Sequence, residues 1–189
     1  KLKSSKLIIL IIILVVFFLM IAAVIVLGIF FFANKKDKKI QLGEFKEFNY
    51  SPGYGDMNGG YHYMTLCHDD QSGWYVECTD REEFDLPTVV TVYSVTDEEA
   101  ASFERFIRES EIVGLQDRKD SDDFVTDYHS WSYTFIFDNT SVGGEKRAYY
   151  SFGQYQKYSD RDYELIKELD EKFEDLLKVK VSESIEEDE

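Results

Sequence analysis

The feature that most constrains this chain is an uncharged apolar run of 27 residues, from residue 7 to residue 33. A helix of that length is about 40 Å long, which exceeds the ~30 Å hydrocarbon core of a bilayer. A secretory signal has a shorter apolar region and a small-residue cleavage site, whereas Ala33 follows three phenylalanines here. The sequence therefore predicts an uncleaved signal-anchor, a single-pass transmembrane helix whose partner is the lipid bilayer.

Lysines flank this run on both sides, so the positive-inside rule does not decide the orientation. A short tail before a first apolar segment usually stays in the cytosol, which favours an extracellular domain. We therefore expect a single-pass protein of the cell membrane with an extracytoplasmic domain. Its predicted parts are a basic tail (1–6), the transmembrane helix (7–33), a linker (34–48), an acidic folded domain (49–180) and an acidic disordered tail (181–189).

Beyond residue 39 the chain is strongly acidic, with 36 Asp and Glu against 14 Lys and Arg, a formal charge of −22. Such a charge repels phosphate backbones and excludes nucleic acid as a partner. It is typical of a solubilising surface, with an acidic binding face as the alternative. The roughly 140 residues after the linker, rich in Tyr and Phe, are enough for a hydrophobic core.

The two cysteines of the chain lie in a predicted β-hairpin. Residues 61–67 and 74–78 are typical of strands, and the intervening polar residues are typical of a turn. Folding the hairpin about the Ser72–Gly73 bond places Cys67 opposite Cys78, close to disulfide reach. The sequence therefore predicts a disulfide and an oxidising compartment.

Two alternatives to the disulfide stay open, namely two buried free thiols and a metal site that adds a histidine to the cysteines. His68 points to the opposite face of the strand, and His62 is too far along it to share one ion. Only His129 could approach through the fold. We therefore assign no metal and no cofactor.

A glycine-rich loop, residues 51–60, precedes the first of these strands. Its glycine spacing fits neither a dinucleotide fingerprint nor a phosphate loop. The simplest interpretation is a loop that needs positive φ angles, and the alternative is a binding loop at which a partner approaches the backbone closely. The candidate residues for that loop are Gly53, Tyr54, Gly55, Asp56, Gly59 and Gly60.

An acidic stretch, residues 117–127, invites a calcium interpretation. Asp120 and Asp122 alternate as calcium ligands do, but Phe124 occupies the next ligand position and the stretch contains no glycine. A solvated loop is therefore the favoured interpretation.

The remaining pattern indicates three strands and two helices. Residues 88–95 form a β-branched run, and Thr96 with Glu99 forms a capping box before a helix. Strands are expected at 131–137 and 146–152, and a last helix is expected to begin after Ser159 and end near residue 178. The order β-β-β-α-β-β-α predicts a two-layer α+β domain, with two helices on one face of an antiparallel sheet of about five strands.

One predicted strand carries an aromatic row with period-two alternation, formed by Trp131, Tyr133, Phe135 and Phe137. Such a row is most often the sheet face beneath helices, and its alternative use is to bind sugar rings.

Several short motifs resemble an uncharacterised family of secreted or membrane-anchored domains of Gram-positive gut bacteria. They are the glycine-rich 53–60, Val92-Tyr-Ser-Val-Thr-Asp-Glu-Glu99, Ile112-Val-Gly-Leu115, Tyr149-Tyr-Ser-Phe-Gly153, Tyr163-Glu-Leu-Ile166 and Phe173. The resemblance covers about three quarters of the chain. The family has no known activity, so it assigns no functional residues.

The sequence contains no catalytic motif that assigns an activity, and no catalytic residue is predicted. We expect a non-enzymatic module that binds a protein, a peptide or a cell-wall component. The alternatives are a cell-envelope hydrolase that uses His129 or His62 with an acid such as Asp127, and a cytoplasm-facing regulator tethered to the membrane.

Overall fold

The structure is a computed structural model that describes residues 17–18, 20–21, 40–53, 60–83, 85–121 and 131–186. The chain divides into two compact units, residues 1–40 and 41–189. Of the predicted transmembrane helix, only residues 17–18 and 20–21 are described. Within the described part of the chain, no helix is long and apolar enough to cross a membrane. This finding corrects the expected architecture of a transmembrane helix ahead of the domain, and the membrane-related predictions lack support.

The second unit is built on one antiparallel sheet whose strands follow the order β6-β5-β1-β2-β3-β4-β7. Its elements are β1 (Glu44–Pro52), β2 (Tyr61–Asp69), β3 (Gly73–Arg81), β4 (Thr88–Val95), helix α1 (Asp97–Ser110), 3-10 helix η1 (Ile112–Asp117), β5 (Trp131–Asp138), 3-10 helix η2 (Thr140–Val142), β6 (Ala148–Gly153), helix α2 (Asp160–Glu174) and β7 (Val179–Glu186).

The predicted α+β domain of about five strands is wrong, because the described residues form a seven-stranded antiparallel sheet with few helices. The two additional strands are β1, which begins inside the expected linker, and β7, which occupies most of the expected tail. Each has a register shift within its pairing. Strict alternation along the sequence therefore does not identify either strand.

A bulge in β1 explains how that strand builds the core. Phe45 pairs with Phe137 and Glu47 pairs with Ile136, which leaves Lys46 as an extra residue. Because of this extra residue, Phe45 and Phe48 both turn into the core although they are three positions apart. In a regular strand, residues three positions apart point to opposite faces, so the bulge is what allows both phenylalanines to be buried in the core.

Both α-helices pack on the same face of the sheet, where the ring of Phe48 lies 5.2 Å from Phe103 of α1 and 5.0 Å from Phe173 of α2. The predicted capping box at the start of α1 is confirmed, with Thr96 accepting from the backbone of Glu99, and Ser159 caps α2 as expected, within a second capping box that it forms with Asp162. Three members of the aromatic row of β5, Tyr133, Phe135 and Phe137, are confirmed as core on the helix-covered face. The fourth, Trp131, is half-buried, and its ring lies 5.6 Å from that of Tyr133.

Candidate functional site

The two faces of the sheet differ in what covers them. Side chains alternate between the faces along a strand, and paired residues on neighbouring strands share a face. Phe48 and its register partners Leu66 and Phe135 lie on the face that both α-helices contact, which we call the core face. We call the opposite face the open face.

The middle of the open face carries three rows of seven residues, each row crossing the sheet from β6 to β7. The rows are Gly153, Ser132, Ser51, Tyr63, Thr79, Val90 and Ser184; then Ser151, Thr134, Asn49, Thr65, Glu77, Val92 and Ser182; then Tyr149, Ile136, Glu47, Cys67, Tyr75, Ser94 and Val179.

Charged side chains are sparse in these three rows. Only two of their 21 positions, Glu47 and Glu77, are Asp, Glu, Lys or Arg, whereas the same face carries charged residues at the strand ends, such as Arg81 and Glu186. In α1 and α2, 17 of the 29 residues are Asp, Glu, Lys or Arg. Twelve of the 21 positions carry a hydroxyl group, on serine, threonine or tyrosine. In a chain with a net charge of −16, the middle of this sheet face is therefore polar and nearly neutral.

Hydrogen bonds order the middle row of the open face. The Thr65 hydroxyl donates to Asn49 Oδ1 at 2.9 Å, and Asn49 Nδ2 donates to Glu47 Oε1 at 2.9 Å. On the neighbouring strands, the hydroxyls of Thr134 and Ser151 are 2.9 Å apart. These polar groups are held in place before any ligand arrives, which lowers the entropy that binding must overcome.

Tyrosines border this row on both sides. Tyr63 is 42% exposed and Tyr149 is 57% exposed, while Tyr75 is half-buried. Burial, and then the charge of Glu47, raises the pKa of Tyr63, so the hydroxyl is neutral at physiological pH. Each of these side chains offers a flat apolar ring that ends in a polar tip.

The predicted disulfide is wrong, because both cysteines are free thiols. Cys67 pairs with Tyr75, and Cys78 pairs with Met64, so the hairpin register differs by three residues from the predicted one. An odd shift turns the two cysteines to opposite faces. Cys67 lies on the open face, and Cys78 is buried on the core face.

The turn between β2 and β3 sets this register. Asp69 Oδ1 accepts hydrogen bonds from the backbone N–H groups of Gln71 and Ser72 at 2.8 and 3.1 Å. Gly73 then takes a φ of 74°, which glycine adopts at little cost. The resulting loop consists of residues 70–72, because Asp69 pairs with Gly73. The prediction instead centred the hairpin turn on the Ser72–Gly73 bond.

Both thiols are expected to react slowly. Burial raises the pKa of Cys67, against a smaller lowering by its hydrogen bond with Tyr75, and burial raises the pKa of Cys78 to about 11. We expect two thiols per chain to react with a thiol reagent in denaturant without any reductant. In the native protein, Cys67 should react before the buried Cys78, and both rates should rise with pH. A Cys67→Ser variant should leave only the slow thiol, and a chain that needs reduction before labelling would contradict the structure.

The glycine-rich loop is described only at its two ends. Gly53 has a φ of 81°, which confirms the predicted need for glycine at that position, and Gly60 is buried. Tyr54, Gly55, Asp56 and Gly59 lie outside the described residues. The loop therefore stays a prediction as a binding site.

The predicted hydrolase residues are not brought together among the described residues. His129 and Asp127 lie outside the described ranges, and His62 faces a different acid, with Nδ1 3.6 Å from Asp80 Oδ1. The acidic stretch is described only up to residue 121. In the part of the chain that the structure describes, no group of three or more His, Cys, Asp or Glu could hold a metal ion.

No protein-family model, no curated protein and no solved structure matches this chain. The resemblance to the family of anchored bacterial domains stays a prediction. The extracytoplasmic location also stays a prediction, because the free thiols remove the disulfide that argued for it.

Proposed function

We propose that this protein is a non-enzymatic binding module that holds a neutral glycan chain against its open face. The observation that carries the proposal is the composition of the middle of that face, where 12 of the 21 positions carry a hydroxyl group and only two are Asp, Glu, Lys or Arg. Hydroxyl and amide side chains both donate and accept hydrogen bonds. A sugar ring presents the same two roles around its rim, and its C–H face fits against a tyrosine ring.

Several features favour a glycan over a protein partner. The cores of protein interfaces are depleted in serine and enriched in arginine and large aromatic residues, whereas the open face contains six serines. A cationic protein segment would be attracted to the acidic helices rather than to the nearly neutral sheet. A protein partner on the open face is therefore the alternative outcome of the test.

The two acids in the three rows, Glu47 and Glu77, support binding rather than glycan hydrolysis. Glycosidases place two carboxyl groups about 5–9.5 Å apart across the scissile bond. Glu47 and Glu77 lie on strands that β2 separates and are offset by one row, which puts their Cα atoms about 12 Å apart. The Glu47 carboxylate is also engaged by Asn49 and lies 3.7 Å from Arg147.

The test is an NMR titration of the ¹⁵N-labelled chain with cello-, chito- and manno-oligosaccharides. We expect one class to shift the amide resonances of β1, β2, β5 and β6. A Tyr63→Ala, Tyr149→Ala double variant should bind at least about tenfold more weakly, because each ring contributes roughly 1 kcal/mol of contact. Affinity should change little with salt, since the ligand is neutral.

Two controls make this test specific. Tyr163 of α2 is exposed to the same extent as the open-face tyrosines, and Tyr163→Ala should bind normally. Glu168→Lys on α2 and Glu77→Lys on β3 change the net charge equally, but only the second should affect binding. If oligolysine bound the open face with strong salt dependence and no oligosaccharide did, a protein partner would replace the proposal.

A further inference from the structure

Strand β7 forms an exposed edge of the sheet. It pairs with β4 on one side, and among the described residues no strand pairs with its other side. All eight of its residues are exposed, including the aliphatic Val179, Val181 and Ile185. Such an edge presents a row of unpaired backbone N–H and C=O groups, to which another strand can add.

The opposite edge of the sheet, at β6, is more restricted. Helix η1 lies against β6, and the segments that follow η1 and β6 pair with each other through Asp120 and Gln156. The Lys157 backbone N–H donates to Lys119 O at 2.8 Å within this pairing. Of the two edges, β7 is therefore the more accessible to a further strand.

A bulge in β7 brings two opposite charges onto one face of the sheet. The pairing with β4 shifts at Val181, which makes this residue the extra one. Lys180 pairs with Tyr93, and Glu183 pairs with Thr91. Both charged side chains therefore lie on the core face, although they are three positions apart, and they form an ion pair within the chain. The edge thus presents a positive and then a negative charge along the direction of β7.

A strand that pairs antiparallel with β7 needs these two charges in the same order along its own direction, and a second β7 has that order. When the pairing is centred between Val181 and Ser182, Lys180 of each copy lies directly opposite Glu183 of the other. Directly opposite residues share a face, and opposite charges at such positions stabilise the pair. Only the bulge makes this register possible, since Lys180 and Glu183 would otherwise lie on opposite faces. A parallel arrangement in register would place like charges side by side.

We infer that β7 is the interface through which two copies of this chain form a symmetric dimer. The inference goes beyond the proposed function and does not rest on it. A lysine and a bulge at an edge are typical of strands that avoid indiscriminate pairing, and here they leave the edge to a strand with complementary charges. Because the same patch of both copies forms the contact, the interface is self-complementary. The open faces of the two copies become one continuous surface, since opposite residues share a face.

Charge reversal on β7 tests the inference by sedimentation equilibrium of the full chain. Pairing through one edge strand buries less surface than a permanent interface, so we expect a dissociation constant of about 0.1 mM. Lys180→Glu places a glutamate opposite Glu183, and Glu183→Lys places a lysine opposite Lys180. Each variant alone should therefore dimerise about tenfold more weakly. An equimolar mixture restores opposite charges at both positions and should form heterodimers as tightly as the parent chain dimerises.

Two comparisons separate strand pairing from other causes. The two variants change the net charge of −16 in opposite directions, so repulsion between whole chains alone would make Glu183→Lys dimerise more tightly. Lys167→Glu on α2 is the matched control, because it also reverses the lysine of an exposed ion pair and should leave dimerisation unchanged. All three positions are exposed, so the midpoint of urea unfolding should stay the same.

Four results would overturn the β7 dimer. Weaker association of Lys180→Glu together with tighter association of Glu183→Lys would show that net charge governs. A mixture that does not regain the parent affinity would exclude antiparallel pairing of the two strands. Equal association of the parent chain and all variants would place the contact in another part of the chain. A parent chain that stays monomeric up to about 1 mM would show that no dimer forms.

Discussion

Replacing Phe48 by alanine is expected to lower the free energy of unfolding by about 3–5 kcal/mol. Phe48 is fully buried, and its ring contacts Phe103, Phe135 and Phe173 at centroid distances of 5.0–5.2 Å. It is the residue through which α1, α2 and β5 contact strand β1. Truncation removes the buried ring and leaves a cavity, and the close-packed side chains around it relax too little to fill that cavity.

Urea unfolding followed by tryptophan fluorescence measures this loss. Tyr149→Ala removes a similar ring from the exposed open face and should change the free energy of unfolding by less than about 0.5 kcal/mol. If Phe48→Ala fails to fold, Phe48→Leu keeps most of the volume and should cost about 1 kcal/mol. A loss below about 1 kcal/mol for Phe48→Ala would contradict the packing of both helices on this face.

The core was only partly predictable. Alternation is a property of neighbouring residues in the sequence, whereas the β1 bulge depends on how β1 pairs with β5. Alternation identified the aromatic row of β5, of which Tyr133, Phe135 and Phe137 are buried as expected. Phe45 and Phe48 do not alternate, and only the extra residue Lys46 brings both onto the core face. The pairing of β1 with β5 joins segments about 90 residues apart, and such pairing is set by the whole fold.

The sequence correctly predicted the β2–β3 hairpin that contains both cysteines, but it did not predict the register of the two strands. Asp69 and Gly73 are turn residues in several loop lengths, so the sequence alone does not choose among them. The hydrogen bonds of Asp69 select a three-residue loop, which separates Cys67 from Cys78. A register difference of three residues was enough to remove the disulfide and the argument about location that rested on it.

The open face could not be predicted from the sequence for the same reason. Serine, threonine and tyrosine are common in single strands and indicate no site there. They form rows only because the register of the seven strands aligns them. Asn49, for example, lies between Thr65 and Thr134, which come from strands distant in sequence. Strand β7 forms one edge of the sheet, although its sequence is acidic and polar like that of a solvated tail.

Removing the charge of Asp162 is the second large effect that we expect. This nearly buried carboxylate accepts two hydrogen bonds from Arg118, at 3.1 and 2.7 Å, and it also caps α2 through Ser159. The Arg118 guanidinium is the main cause that lowers the pKa of Asp162 from 3.8 to about 2. A lowered pKa in the folded state means that the ionised form stabilises the fold.

The sign and the pH range follow from this shift. The contribution is fully present above the unfolded pKa near 4, and it is lost as the pH falls from about 4 to about 2. The lowering of the Asp162 pKa from 3.8 to about 2 corresponds to at most about 2.5 kcal/mol. Because Arg118 is 45% exposed and water screens the pair, we expect about 1–2 kcal/mol.

Asp162→Asn should therefore lose about 1–2 kcal/mol of stability at neutral pH, and its difference from the parent chain should shrink as the pH approaches 2. Asp160→Asn is the matched control, because it removes an exposed charge from the same helical turn without touching Arg118. That variant reports the helix dipole alone and should cost about 0.3–0.5 kcal/mol. Urea unfolding of the three chains at neutral and acidic pH separates the two effects. Equal losses for the two variants, or a difference that does not depend on pH, would show that the ion pair does not hold α2 to the segment after η1.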